Sequence, residues 1–518
     1  MLTENAIELA PGPEDEMYKQ RFYLYLNLTI ASEEVCISCH RTDRSGKGAA
    51  PSYFIGMIKR LFPKLETKKA ADVCGAAGYY ESRPGRIAKL IDGLRKTGAG
   101  EAPDKEFKEL FISINAKEGE RELTQMLIKA SQEGRPDTNI SRETAKALYN
   151  ADYSVTRLEK FSECPYAHFL SSGLRLKERD EFEFSAADVG TIMHNTLMRF
   201  SYLMQEGKRD WHTISDEQRI SLVNDALDSF VEDGGKGAAL TESFRSKALL
   251  ERIRQMLELS SKVLVEQVRR GSFTPTYFEK PYKLGNLNGV IDRMDICESG
   301  DAKYIRVIDY KTGKAELDLG KMLHGLCLQL PTYMIAGKDI VSRNAIAEPA
   351  GIYYYMLDDP FIKVDSLSDE VDDEKIMAEM KLEGLSRSEP EVLELLDNTL
   401  VPGVRSGVIN VKLNKTDGAP DKYSKAVPGE DFGLIERFIK KKIGETEADI
   451  ENGSAGIEPL KYGENDACAY CRFKGVCGYD ENIPGYGHRI CKKEDAKDAL
   501  LRMSEAITNT NGKKKGDE

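Results

Sequence analysis

The residues with the most chemical potential lie in one stretch, Gly285 to Lys311, which reads GNLNGVIDRMDICESGDAKYIRVIDYK. Two apolar, β-branched runs flank the polar turn Glu298-Ser299-Gly300-Asp301, the pattern of a β-hairpin. With Gly300-Asp301 as a two-residue loop, Asp292 falls opposite Asp309, and the period of two along a strand puts Asp309 and Lys311 on one face. Asp292, Asp309 and Lys311 therefore converge. Two carboxylates beside a lysine suit metal-assisted hydrolysis of a phosphodiester: the acids hold Mg²⁺, the metal activates water, and the lysine orients it. The competing reading is a hairpin whose charges face solvent. Both acids are embedded in apolar sequence, Gly-Val-Ile-Asp and Val-Ile-Asp-Tyr-Lys, where an unpaired charge is costly, and this favours a site. Asp295, at an odd offset from Asp292, belongs on the opposite face, with a structural role.

Other elements can bring further groups to the hairpin. Residues 185–205 read as a helix in which His194 lies one turn after Gly190, whose missing side chain leaves room for a ligand. On its own, a helix histidine is more often a packed or surface residue. A helix around Lys321 to Ala336 carries Gln329 and Tyr333 at i, i+4, hence on one face. Ala350 to Asp358 reads as a further strand, with Tyr353 to Tyr355 packing in the core. A helix from Tyr153 ends at Cys164-Pro165, Ala248 to Arg269 is an amphipathic helix, and Gly407 to Leu413 is an expected strand. The basic run Arg437 to Lys442 is best read as a solvated helix face.

A second constellation is Cys468-Ala-Tyr-Cys471-Arg-Phe-Lys-Gly-Val-Cys477, a C-x₂-C-x₅-C pattern. Three thiolates this close, with a distant fourth, fit an iron-sulfur cluster or a four-cysteine zinc site, and spacing alone leaves both open. Arg472 and Lys474 would offset part of their charge. Cys36-Ile-Ser-Cys39-His40 matches a haem-attachment pattern but falls in an expected strand, Glu34 to Ser38, where buried structural cysteines are the better reading.

The chain has 518 residues, 41% hydrophobic and 31% charged, enough for two or more domains with ample core. A net charge of −12 offers nucleic acid no overall attraction, so binding it would need local basic patches and metal ions. No apolar run approaches a membrane span and Met1 to Asp15 is acidic, so a cytoplasmic location is expected. No G-x-x-x-x-G-K-[ST] phosphate loop occurs, Gly46-Lys47 lacking the rest of it, and ATP hydrolysis by this chain alone is not expected.

Together the motifs resemble one family. From Tyr153 to Cys491 the sequence is similar to the carboxyl-terminal nuclease domain of the AddB (RexB) proteins, in the RecB-like branch of the PD-(D/E)XK nucleases. The matching elements are G-x-x-x-H at Gly190 to His194, G-h-h-D at Gly289 to Asp292, D-Y-K at Asp309 to Lys311, and Q-x-x-x-Y at Gln329 to Tyr333. The resemblance implies an α/β fold, with a mixed central sheet flanked by helices. It implies that His194, Asp292 and Asp309 bind the catalytic Mg²⁺, that Lys311 supports the attacking water, and that Gln329 and Tyr333 assist the site and DNA binding. It also implies a [4Fe-4S] cluster on Cys164, Cys468, Cys471 and Cys477, a staple joining the two ends of the nuclease domain. More weakly, Tyr18 to Phe62 resembles the end of an inactivated superfamily-1 helicase domain, with Ile30 where an ATP-contacting arginine would stand. Complete proteins of the family are much longer than this sequence.

The expected organisation is a helicase-like α/β remnant over 1–63, a helical connection over 64–150, the nuclease domain with its iron-sulfur staple over 151–495, and a disordered tail over 496–518. The expected activity is that of an Mg²⁺-dependent DNA exonuclease, the nuclease subunit of a helicase-nuclease complex with an AddA-like partner, in double-strand break repair by homologous recombination. The alternatives are a stand-alone iron-sulfur exonuclease like those of CRISPR spacer acquisition, and a catalytically silent DNA-binding scaffold.

Overall fold

The computed structural model describes residues 12–41, 48–68, 83–98, 100–132, 136–149, 152–177, 186–232, 237, 240, 243–313, 315–342, 346–357, 359–360, 372–481, 483 and 485–513. The chain divides into two compact units, Met1–Gln132 and Glu133–Glu518.

The described part of the first unit is helical: α1 (Pro13–Ile30), α2 (Tyr53–Leu61), α3 (Arg83–Gly98), α4 (Lys105–Asn115) and α5 (Glu118–Gln132). A small core of Leu90, Phe107, Leu110 and Ile114 joins α3 and α4. Two expectations fail here. Glu34 to Ser38 form no strand, because a strand needs a ladder partner and none of the described residues of this unit supplies one. Cys36 and Cys39 are exposed rather than buried.

The second unit is built on a mixed six-stranded sheet of order β1-β2-β3-β4-β5-β6. Ahead of the sheet run α6 (Arg142–Leu148), α7 (Val155–Glu163), the short α8 (Pro165–His168), α9 (Ala186–Glu206), α10 (Asp216–Glu232) and α11 (Phe244–Arg269). The antiparallel strands β1 (Thr274–Leu284), β2 (Leu287–Ser299) and β3 (Ala302–Lys311) follow. The crossover helices α12 (Leu319–Leu323) and α13 (Gln329–Val341) then bring β4 (Ile346–Met356) parallel to β3. The expected single helix over this crossover is thus two, separated where Gly325 and Cys327 take left-handed φ of 75° and 61°. The unit continues with α14 (Asp373–Glu379), β5 (Glu383–Arg387), α15 (Pro390–Leu396), β6 (Ala426–Val427) and α16 (Gly429–Glu451). A small second sheet of β7 (Leu460–Tyr462), β8 (Asn465–Asp466) and β9 (Arg489–Cys491), with α17 (Lys474–Cys477) between β8 and β9, precedes α18 (Ala496–Lys513).

Side-chain alternation divides the sheet between two cores. Ile308 and Tyr310 of β3 pack with α9, α10 and α11, whereas Ile305 and Val307 pack with α7, α13 and α16. Tyr353, Tyr354 and Tyr355 are buried as expected, spending their hydroxyls on Ser386, Cys327 and the Ser260 carbonyl. Gly407 to Leu413 makes only isolated bridges, such as Leu382 with Ile409, and is not a regular strand. The expected disordered tail is a helix through Lys513: Ala499 and Met503 of α18 are buried in the α16 core, so this stretch belongs to the fold. Residues 514–518 of that tail lie outside the described residues.

Candidate functional site

The β2–β3 ladder begins at Ser299–Ala302 and continues in the expected register to Arg293–Ile308. One residue further on each strand stand Asp292 and Asp309. The ladder stops there because Asp292 turns its carboxylate into it: Oδ2 accepts from the Tyr310 backbone amide at 3.1 Å. Strands β1 and β2 are both irregular at this level. Ile291 and Met294 share one core although three residues apart, and Glu279 of β1 has φ +43°. A non-glycine residue held at such a φ costs roughly 1–3 kcal/mol, and such strain gathers at functional sites.

The structure brings together all six side chains picked out by the motifs. His194 Nε2 of α9 lies 3.1 Å from Asp292 Oδ2 and 3.3 Å from Glu279 Oε1. Lys311 Nζ lies 2.6 Å from Asp309 Oδ2 and donates to Gln329 Oε1 at 2.8 Å. Gln329 Nε2 donates to Asp309 Oδ1 at 2.7 Å and contacts Tyr333 Oη at 2.9 Å. Asp309 lies deepest, its side chain 1% exposed, while those of Asp292, His194 and Lys311 are 14%, 24% and 33% exposed.

Electrostatics tie the two halves. Burial first, then repulsion from Asp292, pushes the Asp309 carboxyl up to about 7, against the pull of Lys311 and His194. Burial alone would lower the His194 imidazole, but the hydrogen bond and charge of Asp292 and the charge of Glu279 outweigh it and raise it to about 9. Burial likewise raises the Glu279 carboxyl.

Two glycines of the motifs owe their identity to close approach. A Cβ on Gly190 would stand 2.4 Å from Thr312 Oγ1, so the room beside this residue is filled by Thr312 rather than left for a ligand, and α9 is drawn onto the end of β3. A Cβ on Gly289 would stand 2.5 Å from the Tyr282 hydroxyl, whose ring packs edge-on against Tyr333 at 5.8 Å.

Glu279 is the site residue that sequence reasoning missed. Its ligand atom and those of His194 and Asp292 all lie within 4.8 Å of one another. The signal was a lone acid in the run Tyr277-Phe278-Glu279, whose approach to Asp292 depends on the β1–β2 register. Asp295 is fully buried on the opposite face, held bidentately by Arg293 at 2.7 and 2.8 Å and by Arg306 at 2.8 Å, the structural role expected for it. The donor set fits a divalent cation. The Asp309 carboxylate is buried with Lys311 as the cation at its Oδ2, and the ligand atoms of Glu279, Asp292 and His194 converge on one another beside it.

A model of the PD-(D/E)XK nuclease superfamily matches residues 152–478, which contain every one of these groups. The chain belongs to the PD-(D/E)XK nuclease superfamily. Three of its relatives are each named as the B component of an ATP-dependent helicase/deoxyribonuclease. That of Lachnoclostridium phytofermentans is 34% identical over 98% of this chain and 45% of its own length. That of Clostridium tetani is 31% identical over 95% and 45%, and that of Clostridium perfringens 28% over 98% and 46%. The chain therefore spans about half the length of the curated relatives it matches, and the likeness to the AddB proteins read from the motifs agrees with the relatives' names.

In this PD-(D/E)XK chain the four cysteines of the second constellation also meet. Burial raises the Cys164 thiol, with a further push from Cys471; burial raises Cys468 to about 12, followed by Asp466, Cys164, Cys471 and Cys477. Asp466 Oδ1 accepts from the Cys468 amide at 2.7 Å and lies 3.0 Å from His488 Nε2, a pairing not foreseen from the sequence. No three of the four sulfurs lie within 4.8 Å of one another.

Proposed function

We propose that this chain is the nuclease-bearing part of an ATP-dependent helicase-nuclease and hydrolyses DNA phosphodiesters with Mg²⁺. The observation that carries the reading is the continuous constellation at the end of β2 and β3, from Glu279, His194 and Asp292 to Asp309, Lys311, Gln329 and Tyr333. Asp292, Asp309, His194 and Glu279 would hold the cation, which when bound supplies charge neutralisation on the phosphate and a more acidic water. Lys311, fixed by Gln329 and Asp309, is placed to steer that water and to meet developing negative charge. Tyr333, its hydroxyl raised by burial, stays neutral and fixes Gln329.

The relatives' names support a deoxyribonuclease that works with a helicase; within that, the proposed role is an exonuclease on strands supplied by a partner resembling AddA, in cytoplasmic double-strand break repair. No helix among the described residues is long and apolar enough to cross a membrane. Cys164, Cys468, Cys471 and Cys477 would hold a [4Fe-4S] cluster as a staple, a reading supported by the mutual influence of their thiols. The test is degradation of end-labelled linear DNA by anaerobically purified protein, with and without the helicase partner. The reading expects Mg²⁺-dependent cleavage lost in Asp309→Ala, and a brown chromophore lost in Cys471→Ala. A folded, chromophore-bearing protein that leaves DNA intact even with the partner would overturn it.

A further inference from the structure

We propose that Glu159 of α7 is a positioning residue of the nuclease centre: it holds the amino end of α13, and through it Gln329 and Lys311. The proposal rests on the nuclease reading above. Helix α13 begins at Gln329, and its preceding residue is Leu328, which has no side-chain acceptor for the first free amides. Glu159 supplies one from a different helix. Its Oε1 accepts from the Leu328 amide at 2.5 Å, and the Gln329 amide also bonds to it. A carboxylate there meets both the unsatisfied donors and the positive end of the helix dipole.

The same carboxylate serves the active centre. Burial raises it, while the two amides and the charge of Lys311 pull it back, so the lysine feels this acid as well as Asp309. Lys311 Nζ is otherwise committed to Gln329 Oε1 and Asp309 Oδ2. Gln329 is thus fixed twice, by its backbone on Glu159 and by its side chain on Asp309, Lys311 and Tyr333. Helix α7 is anchored at its other end: Arg489 Nη2 of β9 donates to the Ser162 carbonyl at 2.5 Å, and the helix ends on Cys164. Helix α7 therefore links the two sites: Glu159, at its middle, holds the start of α13, and Cys164 caps its last turn.

The test compares the full chain with Glu159→Gln, which keeps an acceptor, and Glu159→Ala, which removes it. Amide hydrogen exchange over 328–333, visible absorption, and kcat and KM on linear DNA are measured. The expected result for Glu159→Ala is faster exchange at Leu328 and Gln329, kcat lower by about 100-fold with KM nearly unchanged, and unaltered absorption. Glu159→Gln should retain the protection and lose less than about 10-fold in kcat. Wild-type exchange and kcat in a folded Glu159→Ala protein would overturn the proposal, as would equal losses in both variants that follow a lower melting temperature. A wild-type chain that does not cut DNA would count against the nuclease reading alone, because the exchange difference is read without turnover.

Discussion

Asp309 is costly to keep charged, and that cost is the mark of its use. Its carboxyl is raised above the unfolded value, so the native fold loses stability as pH climbs from about 4 through about 7, and carries the full penalty above that. Asp309→Asn removes the charge and keeps the shape. In chelator at about pH 8 the variant should unfold roughly 1–3 kcal/mol later than wild type, a gap that closes near pH 5. Thermal unfolding across pH measures it, and a destabilised variant would refute the reading. Asp295 predicts the reverse. Its removal leaves the Arg293 and Arg306 guanidiniums buried without their anion, and Asp295→Asn should cost about 3–5 kcal/mol in chemical denaturation. Much of this was legible in the sequence. The acids inside apolar runs and the turn at Gly300 placed Asp292, Asp309, Lys311 and Asp295. Glu279 was not legible, because it enters the site through a left-handed φ and a strand kink that no periodicity announces.

At the scale of elements, the centre depends on how closely a helix from each face of the sheet approaches the end of β3. Helix α9 comes in through Gly190 against Thr312. Gly190→Ala should push His194 off Asp292 and lower cleavage about 10- to 100-fold, since a misplacement near 1 Å costs that much. Adding Thr312→Ala should restore most of the activity, and a double variant no better than the single one would show that the contact is not what seats the helix. The glycine was read correctly as significant, but for a space that Thr312 in fact fills. The two-part crossover, α12 and α13, was hidden for a similar reason: its break turns on left-handed φ at Gly325 and, less readably, at Cys327. The loop over Gly407 to Leu413 was misjudged because short strands are decided by sheet partners rather than by their own composition.

Across the whole molecule, the nuclease unit is closed by contacts between distant segments. Cys164 follows α7 whereas Cys468, Cys471 and Cys477 come after the large sheet, and α18 seals the α16 core with Ala499 and Met503. Truncation after Asp495 should lower the melting temperature and expose apolar surface, although the polar sequence there had suggested a loose tail. Hydrophobic residues on a sparse helical period are easily overlooked when the intervening residues are charged.

The account turns on whether Glu279, His194, Asp292 and Asp309 form a cation site, and calorimetric titration with Mg²⁺ addresses this most directly. His194 is raised to about 9 and a ligating imidazole must be neutral, so binding should release protons and tighten as pH rises from about 7 towards about 9. The predicted result is saturable binding with that pH dependence, abolished in Asp292→Asn and Asp309→Asn and unchanged in a mild exposed variant such as Glu298→Gln. Equal Mg²⁺ binding by wild type and both aspartate variants would contradict it.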